Sequence, residues 1–528
     1  MKTANLLATL AVALLIVSCG PSGEQMKAKE DAINTTTADM APPVLETPPL
    51  ATGTESYNTI SENTFKSVSA EPLSTFAIDV DGASYSNVRR MLINGMLPPA
   101  DAVRAEEFIN YFTYNYPKPE QNELFSLYSE YANCPWAANH KLLQVALKGK
   151  EVDMKSAPAN NLVFLVDVSG SMENENKLPL LKRAFKLLIK QLRPEDRVSI
   201  VVYAGNAGLV LDGANGDESD DILEALDRLQ AGGSTAGGEG IELAYAVAKN
   251  HFIKKGNNRI ILTTDGDFNV GMSSQQELEK LIEEKRNDGI YLSVFGFGDG
   301  NIKDNVMETL ADKGNGNYYY IDNFMEARKV LVSQFGGTLM TIAKDVKIQI
   351  EFNPAYVKEY RLIGYENRLL NAEDFNDDKK DAGELGSGHC VTALYEIIPA
   401  GSSESKANVD NLKYAKSGDN TNKGELASIK FRYKGVARQD TTSKLLSKTI
   451  STIIIPDEQR SANFKLAASA AEFAMLLRDS KYRDRASYDQ AIELAGGARE
   501  RDEEGYVSGL IDLLKIAKDL QEKPIAKK

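Results

Sequence analysis

The chain has 528 residues, a net charge of −14 at pH 7, three cysteines and three histidines. At about 100–200 residues per domain, this length predicts three or four units and enough chain for a large core. The acidic composition argues against a nucleic-acid-binding protein, which needs a basic surface to meet phosphates. Three cysteines are too few for a disulfide scaffold or a Cys₄ zinc site.

Residues 1–19 have the pattern of a bacterial lipoprotein signal peptide. Lys2 precedes an uncharged apolar stretch that ends at Ser18 and is too short to span a membrane comfortably. The residues leading to Cys19 resemble the lipobox, in which the cysteine thiol is lipidated and becomes the first residue of the mature chain. This resemblance implies a lipid anchor at Cys19 and a place in the cell envelope. Gly20, where many inner-membrane lipoproteins have aspartate, favours the outer membrane, on either its periplasmic or its surface side.

Residues 20–64 have the composition of a disordered tether. The segment is rich in Pro, Thr, Ser, Glu and Ala, and Tyr57 is its only aromatic residue before Phe65. Such a composition offers too little apolar surface to offset the entropy of ordering. We expect a spacer between the lipid and the folded part, although an unstructured tail without a role fits the same sequence.

Residues 65–154 form a predicted N-terminal companion domain. The pattern predicts a strand at 76–81, followed by two helices and then two strands. The two helices are expected at 86–96 and 102–111, and the two strands at 124–132 and 142–147.

Residues 155–338 have the alternating pattern of an α/β domain. The first strand is almost continuously apolar, as expected for a strand buried on both faces of a parallel sheet. Strands are predicted at 161–167, 197–203, 259–264, 290–297 and 317–321, and helices at 178–192, 220–229, 240–250, 274–286, 303–311 and 324–335. This alternation predicts a doubly wound, mainly parallel sheet, whose ligands bind at the carboxyl ends of its strands.

Oxygen-bearing side chains follow the predicted strands of this domain. Asp167, Ser169 and Ser171 come directly after the first strand, and Asp265 follows the strand at 259–264. Thr235 lies between them, at the end of a Gly-Gly-Ser-Thr segment. Carboxylates and hydroxyls are hard oxygen donors that suit Mg²⁺ and do not suit zinc or copper. Helix capping and turn formation are the alternative, but they do not require five oxygen donors at one sheet edge.

The order Asp-x-Ser-x-Ser, then Thr, then Asp on this strand pattern resembles the von Willebrand factor type A (VWA) domain and its metal-ion-dependent adhesion site. By this resemblance the metal-coordinating positions are Asp167, Ser169, Ser171, Thr235 and Asp265. Asp267 is either an acid that supports the metal ligands or a turn residue, and we favour the turn. The segments 79–90, 105–112 and 360–368 are similar to companion regions of a bacterial lipoprotein family built around such a domain.

Residues 339–456 have a β-sandwich pattern, and residues 457–528 a helical one. Strands are predicted at 341–352, 359–365, 389–398, 427–433 and 448–455. Since strands also precede the α/β domain, we expect this domain to be inserted into one sandwich. Cys134 and Cys390 would then lie in the same sandwich, either as a disulfide or as two separate thiols.

The resemblance implies a binding protein rather than an enzyme. Mg²⁺, or alternatively Ca²⁺ or Mn²⁺, would take an Asp or Glu carboxylate from a protein partner. Two other classes stay open: an envelope scaffold with a stabilising metal, and a divalent-metal hydrolase. A hydrolase would usually need a nearby general base, and no His or Lys lies in the motif loops themselves.

Overall fold

A six-stranded sheet lies at the centre of the chain in the computed structural model of this protein. The structure describes residues 55–78, 81–153, 157–233, 237–266, 275–334, 340–380, 382–407, 422–436 and 440–522. The predicted signal peptide, with Cys19, and the first part of the predicted tether therefore lie outside the described residues.

The central sheet has the order β10-β9-β8-β5-β6-β7. Its strands are β5 (Asn160–Asp167), β6 (Arg197–Tyr203), β7 (Ala207–Asn215), β8 (Asn257–Thr264), β9 (Ile290–Phe297) and β10 (Tyr318–Ile321). All pairs are parallel except β6 with β7. Every residue of β5 is buried, as its continuous apolar pattern predicts.

Helices cover both faces of this sheet. They are α3 (Leu178–Ile189), α4 (Ser219–Asp227), α5 (Gly237–Asn250), α6 (Gln275–Asn287), α7 (Asp304–Lys313) and α8 (Phe324–Arg328). Leu181, Phe185 and Leu188 of α3 enter the core on one face, and Ile241 and Ala244 of α5 enter the core on the other. The predicted last helix is shorter than expected, since α8 ends at Arg328 and a π-helical turn continues to Ser333.

Two antiparallel sheets form the predicted sandwich. The strands before the central sheet are β1 (Lys66–Ser67), β2 (Leu73–Ala77), β3 (Phe125–Asn133) and β4 (Lys141–Gly149). The strands after it are β11 (Thr341–Phe352), β12 (Val357–Ile363), β13 (Gly383–Gly386), β14 (Cys390–Pro399), β15 (Glu425–Lys434) and β16 (Lys444–Ser451). One sheet has the order β1-β12-β14-β4-β3, and the other has β13-β11-β15-β16 with β2 beside β11.

The α/β domain is inserted into this sandwich. Strand β4 pairs along its length with β14, although the whole central sheet lies between them in sequence. The two sandwich sheets share one core, to which Leu143 of β4, Ile350 of β11, Tyr395 of β14 and Ile429 of β15 contribute. The predicted fold class is therefore confirmed, including the insertion.

Helices at both ends of the chain pack together on the outer face of the sandwich. They are α1 (Ala83–Ile93), α2 (Ala105–Asn110), α9 (Ala462–Leu477), α10 (Tyr488–Gly496) and α11 (Tyr506–Glu522). Phe108 of α2, Phe473 of α9 and Leu514 of α11 share one core with Leu142 of β4 and Leu394 of β14. Among the described residues, no helix is both long and apolar enough to cross a membrane.

The last part of the predicted tether is ordered against the folded chain. The backbone N–H of Ser56 donates to the carbonyl of Ile302, at 2.9 Å, and the Asn63 side chain donates to the carbonyls of Leu362 and Gly364. These polar residues, which made the segment look like a spacer, form hydrogen bonds with the folded chain. Residues 55–64 therefore belong to the folded unit.

The structure does not pair Cys134 with Cys390, and both are free thiols. Cys134 follows β3, at the end where Asn133 lies opposite Lys141 of β4, whereas Cys390 lies opposite Lys148 of the same strand. Seven residues of extended strand separate these two ends by about 23 Å. A disulfide requires Cα atoms about 4.4–6.8 Å apart, so the sandwich holds the thiols far out of bonding range.

Candidate metal centre

The loop after β5 brings a buried carboxylate and two hydroxyls together. Asp167 is fully buried, and its Oδ1 accepts a hydrogen bond from the backbone N–H of Ser169 at 2.8 Å. The hydroxyls of Ser169 and Ser171 lie 3.0 Å apart. Ser169 is buried, whereas Ser171 is exposed. The oxygen atoms of this loop therefore extend from the buried end of the strand, at Asp167, to solvent, at Ser171.

The loop after β8 places a second carboxylate beside the first. Because β5 and β8 are neighbouring parallel strands, with Val166 opposite Thr263, both strands end at the same edge. The hydroxyl of Thr264 lies 3.5 Å from Asp167 Oδ2, and Asp265 is fully buried just beyond it. The sequence thus placed Asp167 and Asp265 correctly at one sheet edge.

Gly266 allows the Asp265 loop to pack closely against the loop after β9. Its φ is +99°, and a Cβ at this position would lie 2.7 Å from both the Ile302 Cα and the Lys303 N. A side chain would therefore be strained by the backbone angle and would also collide with a neighbouring backbone. The Thr-Asp-Gly sequence is needed for this close approach.

Thr235 and Asp267 lie outside the described residues. The segment leading to Thr235 is described as far as Gly233, whose carbonyl accepts from the N–H of Gly170 at 3.1 Å. The N–H of Gly232 donates to the carbonyl of Val168 at 2.7 Å. These two bonds fasten the Gly-Gly segment to the Asp-x-Ser-x-Ser loop.

Lys177 is a site residue that sequence reasoning missed. Its Nζ lies 2.8 Å from Asp265 Oδ2, and the two side chains are 6% and 0% exposed. Lys177 is the N-cap residue of α3, where a positive charge opposes the helix dipole. That misfit is the signal that could have indicated a carboxylate partner elsewhere in the chain.

The two carboxylates have opposite pKa shifts. Burial raises the pKa of Asp167 to about 6, and the charge of Asp265 acts in the same direction. Burial also works to raise the pKa of Asp265, but hydrogen bonds from Lys177 and Ser171 outweigh it and hold that pKa below its ordinary value. The Lys177 ammonium thus stabilises the charged form of Asp265, whereas burial is the largest influence on the pKa of Asp167.

This donor set fits a hard divalent cation. Among the described residues, no group of three or more His, Cys, Asp or Glu side chains could hold a metal ion. The described donors at the sheet edge are two carboxylates and two hydroxyls, all oxygen, which suit Mg²⁺, Ca²⁺ or Mn²⁺. Asp167, a buried carboxylate with a raised pKa, is a group that a nearby cation would stabilise in its charged form.

The fold and the sheet-edge site define a VWA-domain protein. The family model described as "von Willebrand factor type A domain" matches residues 161–333. A model described as "von Willebrand factor" matches residues 51–144, and one described as "Uncharacterized protein YfbK, C-terminal" matches residues 337–520.

The chain belongs to the YfbK-like family of VWA proteins. It is 42% identical over 476 residues to the uncharacterized protein YfbK of Escherichia coli K12, which covers 88% of this chain and 81% of that protein. It is also 30% identical over 193 residues to the uncharacterized protein sll0103 of Synechocystis, covering 36% of this chain and 44% of that protein. Among solved structures, a von Willebrand factor type A protein from Catenulispora acidiphila shares 16% identity with a TM-score of 0.39, covering 74% of this chain and 90% of that one.

Proposed function

We propose that this protein is a lipid-anchored binding protein of the cell envelope. Its VWA domain holds a divalent cation, Mg²⁺ in the first place, and binds a protein partner that presents an Asp or Glu carboxylate. The anchor is Cys19, and the compartment is the outer membrane.

The observation that carries this proposal is the meeting of two buried carboxylates and two hydroxyls at one sheet edge. Asp167 and Asp265 are fully buried, while Ser171 reaches solvent. The buried carboxylates would therefore hold a cation at the end of the sheet, and the exposed side of the site would be accessible to a partner.

The site residues have separate roles in this proposal. Asp167, Ser169, Ser171, Thr235 and Asp265 are the residues that would hold the ion. The ion, when bound, supplies positive charge that a partner carboxylate can meet. Asp167 is oriented by the backbone N–H of Ser169, and Ser171 is positioned at the solvent side by its neighbour Ser169.

The proposal assigns no catalytic step to this site. Lys177 lies at the site, but its ammonium is paired with Asp265 instead of being placed as a free base. A general base would have to take a proton from a water or substrate within hydrogen-bond reach. A binding role needs only the cation and the partner's carboxylate.

Crosslinking in the native envelope tests the binding role. We expect the wild-type protein to capture a partner in Mg²⁺, and both chelator treatment and Asp265→Ala to abolish that capture. Asp217→Ala removes an exposed carboxylate beyond β7, near the opposite sheet edge, and should leave capture unchanged. If Asp265→Ala abolishes Mg²⁺ binding but leaves the captured proteins unchanged, the ion only stabilises the fold and the binding role is refuted.

Membrane fractionation tests the anchor. We expect the wild-type protein in the outer-membrane fraction and the Cys19→Ser variant without a lipid. Mass analysis of the mature N-terminus should show an acylated cysteine. An unmodified residue 19 in the mature wild-type protein would contradict the anchor without affecting the binding role.

A further inference from the structure

The Lys177 side chain is buried beside the candidate metal centre. The side chain is 6% exposed, and its ammonium lies 2.8 Å from Oδ2 of the fully buried Asp265. Gly298, after β9, has a φ of +78°, and a Cβ there would overlap the aliphatic part of Lys177. The bare α-carbon of Gly298 therefore leaves the space through which the lysine reaches the carboxylate.

This ammonium changes the charge of the site. Asp167 and Asp265 together carry two negative charges when ionised, and Lys177 cancels one of them. A divalent cation would bring the site to a net charge of about +1 with the lysine and about 0 without it. The positive charge of the lysine would thus disfavour binding of the metal ion and favour binding of an acidic group from solvent.

We propose that Lys177 is a resident counter-cation that weakens metal binding and strengthens the binding of a partner carboxylate. This inference rests on the proposed function and adds a specificity-determining residue to it. Lys177 repels a divalent ion because the two like charges share Asp265 in a buried setting, where charges are poorly screened. The same positive charge attracts a carboxylate once the ion is bound.

The two effects have opposite signs, and this separates the proposal from a merely structural role. If Lys177 only held Asp265 in place, its loss would misplace a ligand and weaken both metal and carboxylate binding. If it is a counter-cation, its neutral replacement binds the metal more tightly and the carboxylate less tightly.

Mn²⁺ titration of the full-length protein, followed by electron paramagnetic resonance of the free ion, measures the first effect. Lys177→Met keeps an unbranched side chain and removes the charge, and we expect it to bind Mn²⁺ about tenfold more tightly than wild type. Lys177→Arg keeps the charge and should bind within about threefold of wild type. Lys182→Met is the matched control, since Lys182 lies on the same helix but donates to the carbonyls of Asp227 and Leu229.

Acetate titration of the Mn²⁺-saturated proteins, followed by the relaxation of water protons, measures the second effect. We expect Lys177→Met to bind acetate more weakly than wild type, and Lys182→Met to bind it equally. Equal Mn²⁺ affinity in wild type and Lys177→Met, or weaker binding of both ligands by Lys177→Met, overturns the inference while the proposed function stands. Absence of Mn²⁺ binding in every variant overturns both, whereas binding by Lys177→Met alone supports the inference and contradicts the proposed function of the wild-type site.

Discussion

At the residue scale, the site depends on glycines as well as on polar side chains. Gly266 and Gly300 both have a positive φ, at +99° and +86°. A Cβ at Gly266 would lie 2.7 Å from backbone atoms of the neighbouring loop, whereas a Cβ at Gly300 would meet no atom of the described residues within 4 Å. Comparing these two glycines separates the cost of the backbone angle from the cost of the collision.

We predict that Gly266→Ala lowers the free energy of unfolding by about 2–4 kcal/mol, and Gly300→Ala by only about 1 kcal/mol. The first variant bears both the strained angle and the collision with Ile302, and the second bears the angle alone. Urea denaturation of both variants measures the difference. Equal losses of unfolding free energy would show that the loop after β9 moves away from residue 266 at no cost. That result would contradict the requirement for glycine at this close approach.

The oxygen donors of the site could be predicted from the sequence, and the pairing of Lys177 with Asp265 could not. Asp167, Ser169 and Ser171 lie within five residues of one another, so a motif reveals them. Lys177 and Asp265 are 88 residues apart, and their ion pair depends on how two loops meet across the sheet edge. Local patterns hold no information about such a pair beyond the unusual lysine at a helix N-terminus.

At the scale of elements, a buried charge cluster joins the N-terminal companion region to the VWA domain. Arg104, just before α2, pairs with Glu107 and with Asp304, the first residue of α7, at 4%, 3% and 1% exposure. Glu308 of α7 lies 3.8 Å from the same guanidinium. Arg104 therefore pairs with two carboxylates buried between these helices, while Arg368 also approaches Glu308, at 3.6 Å.

We predict that Arg104→Met lowers the free energy of unfolding by about 3–5 kcal/mol, because it leaves buried carboxylates without their cation. Arg228→Met is the matched control, since its partner Glu224 and Arg228 itself are 69% and 62% exposed. An exposed pair contributes about 1 kcal/mol or less. Thermal or urea unfolding measures both, and a loss at Arg104 as small as that at Arg228 would refute the role of the cluster.

Apolar periodicity predicted most strands and helices within a few residues, and two strands that it missed have physical causes. Strand β7 was missed because it is a half-exposed edge strand with glycines at 208 and 213 and an irregular register against β6. Strand β13 was missed because its short Gly-Glu-Leu-Gly sequence is polar and pairs irregularly with β11. Each of these strands pairs with its neighbour in an irregular register, and a local sequence pattern does not reveal such pairing.

At the scale of the whole molecule, the terminal helices share one hydrophobic core with the sandwich. Helix α9 lies at the centre of this core, and its Glu472 is fully buried. Glu472 Oε1 accepts from the backbone N–H of Ser487 at 2.9 Å, while Oε2 has no hydrogen-bond partner among the described residues. Burial raises the pKa of Glu472 to about 8, so this carboxyl is neutral in the folded protein at pH 7.

We predict that the stability of the wild-type protein falls between about pH 4.5 and pH 8 through this group. In that window the folded state keeps the proton and the unfolded state has lost it, so rising pH favours unfolding, by up to about 1.4 kcal/mol per pH unit. Glu472→Gln removes this contribution. We expect the urea midpoint of Glu472→Gln, relative to that of wild type, to be higher at pH 8 than at pH 5. Parallel pH profiles would contradict a protonated Glu472.

Calorimetric titration of the full-length protein with Mg²⁺ tests the central claim most directly. The account predicts one Mg²⁺ per chain for wild type and binding at least about tenfold weaker for Asp167→Asn, which keeps the shape of the side chain and removes its charge. The exposed Asp217→Asn should bind as wild type does. Wild-type protein that binds no Mg²⁺, or Asp167→Asn that binds it equally well, would contradict a metal-dependent site at this sheet edge.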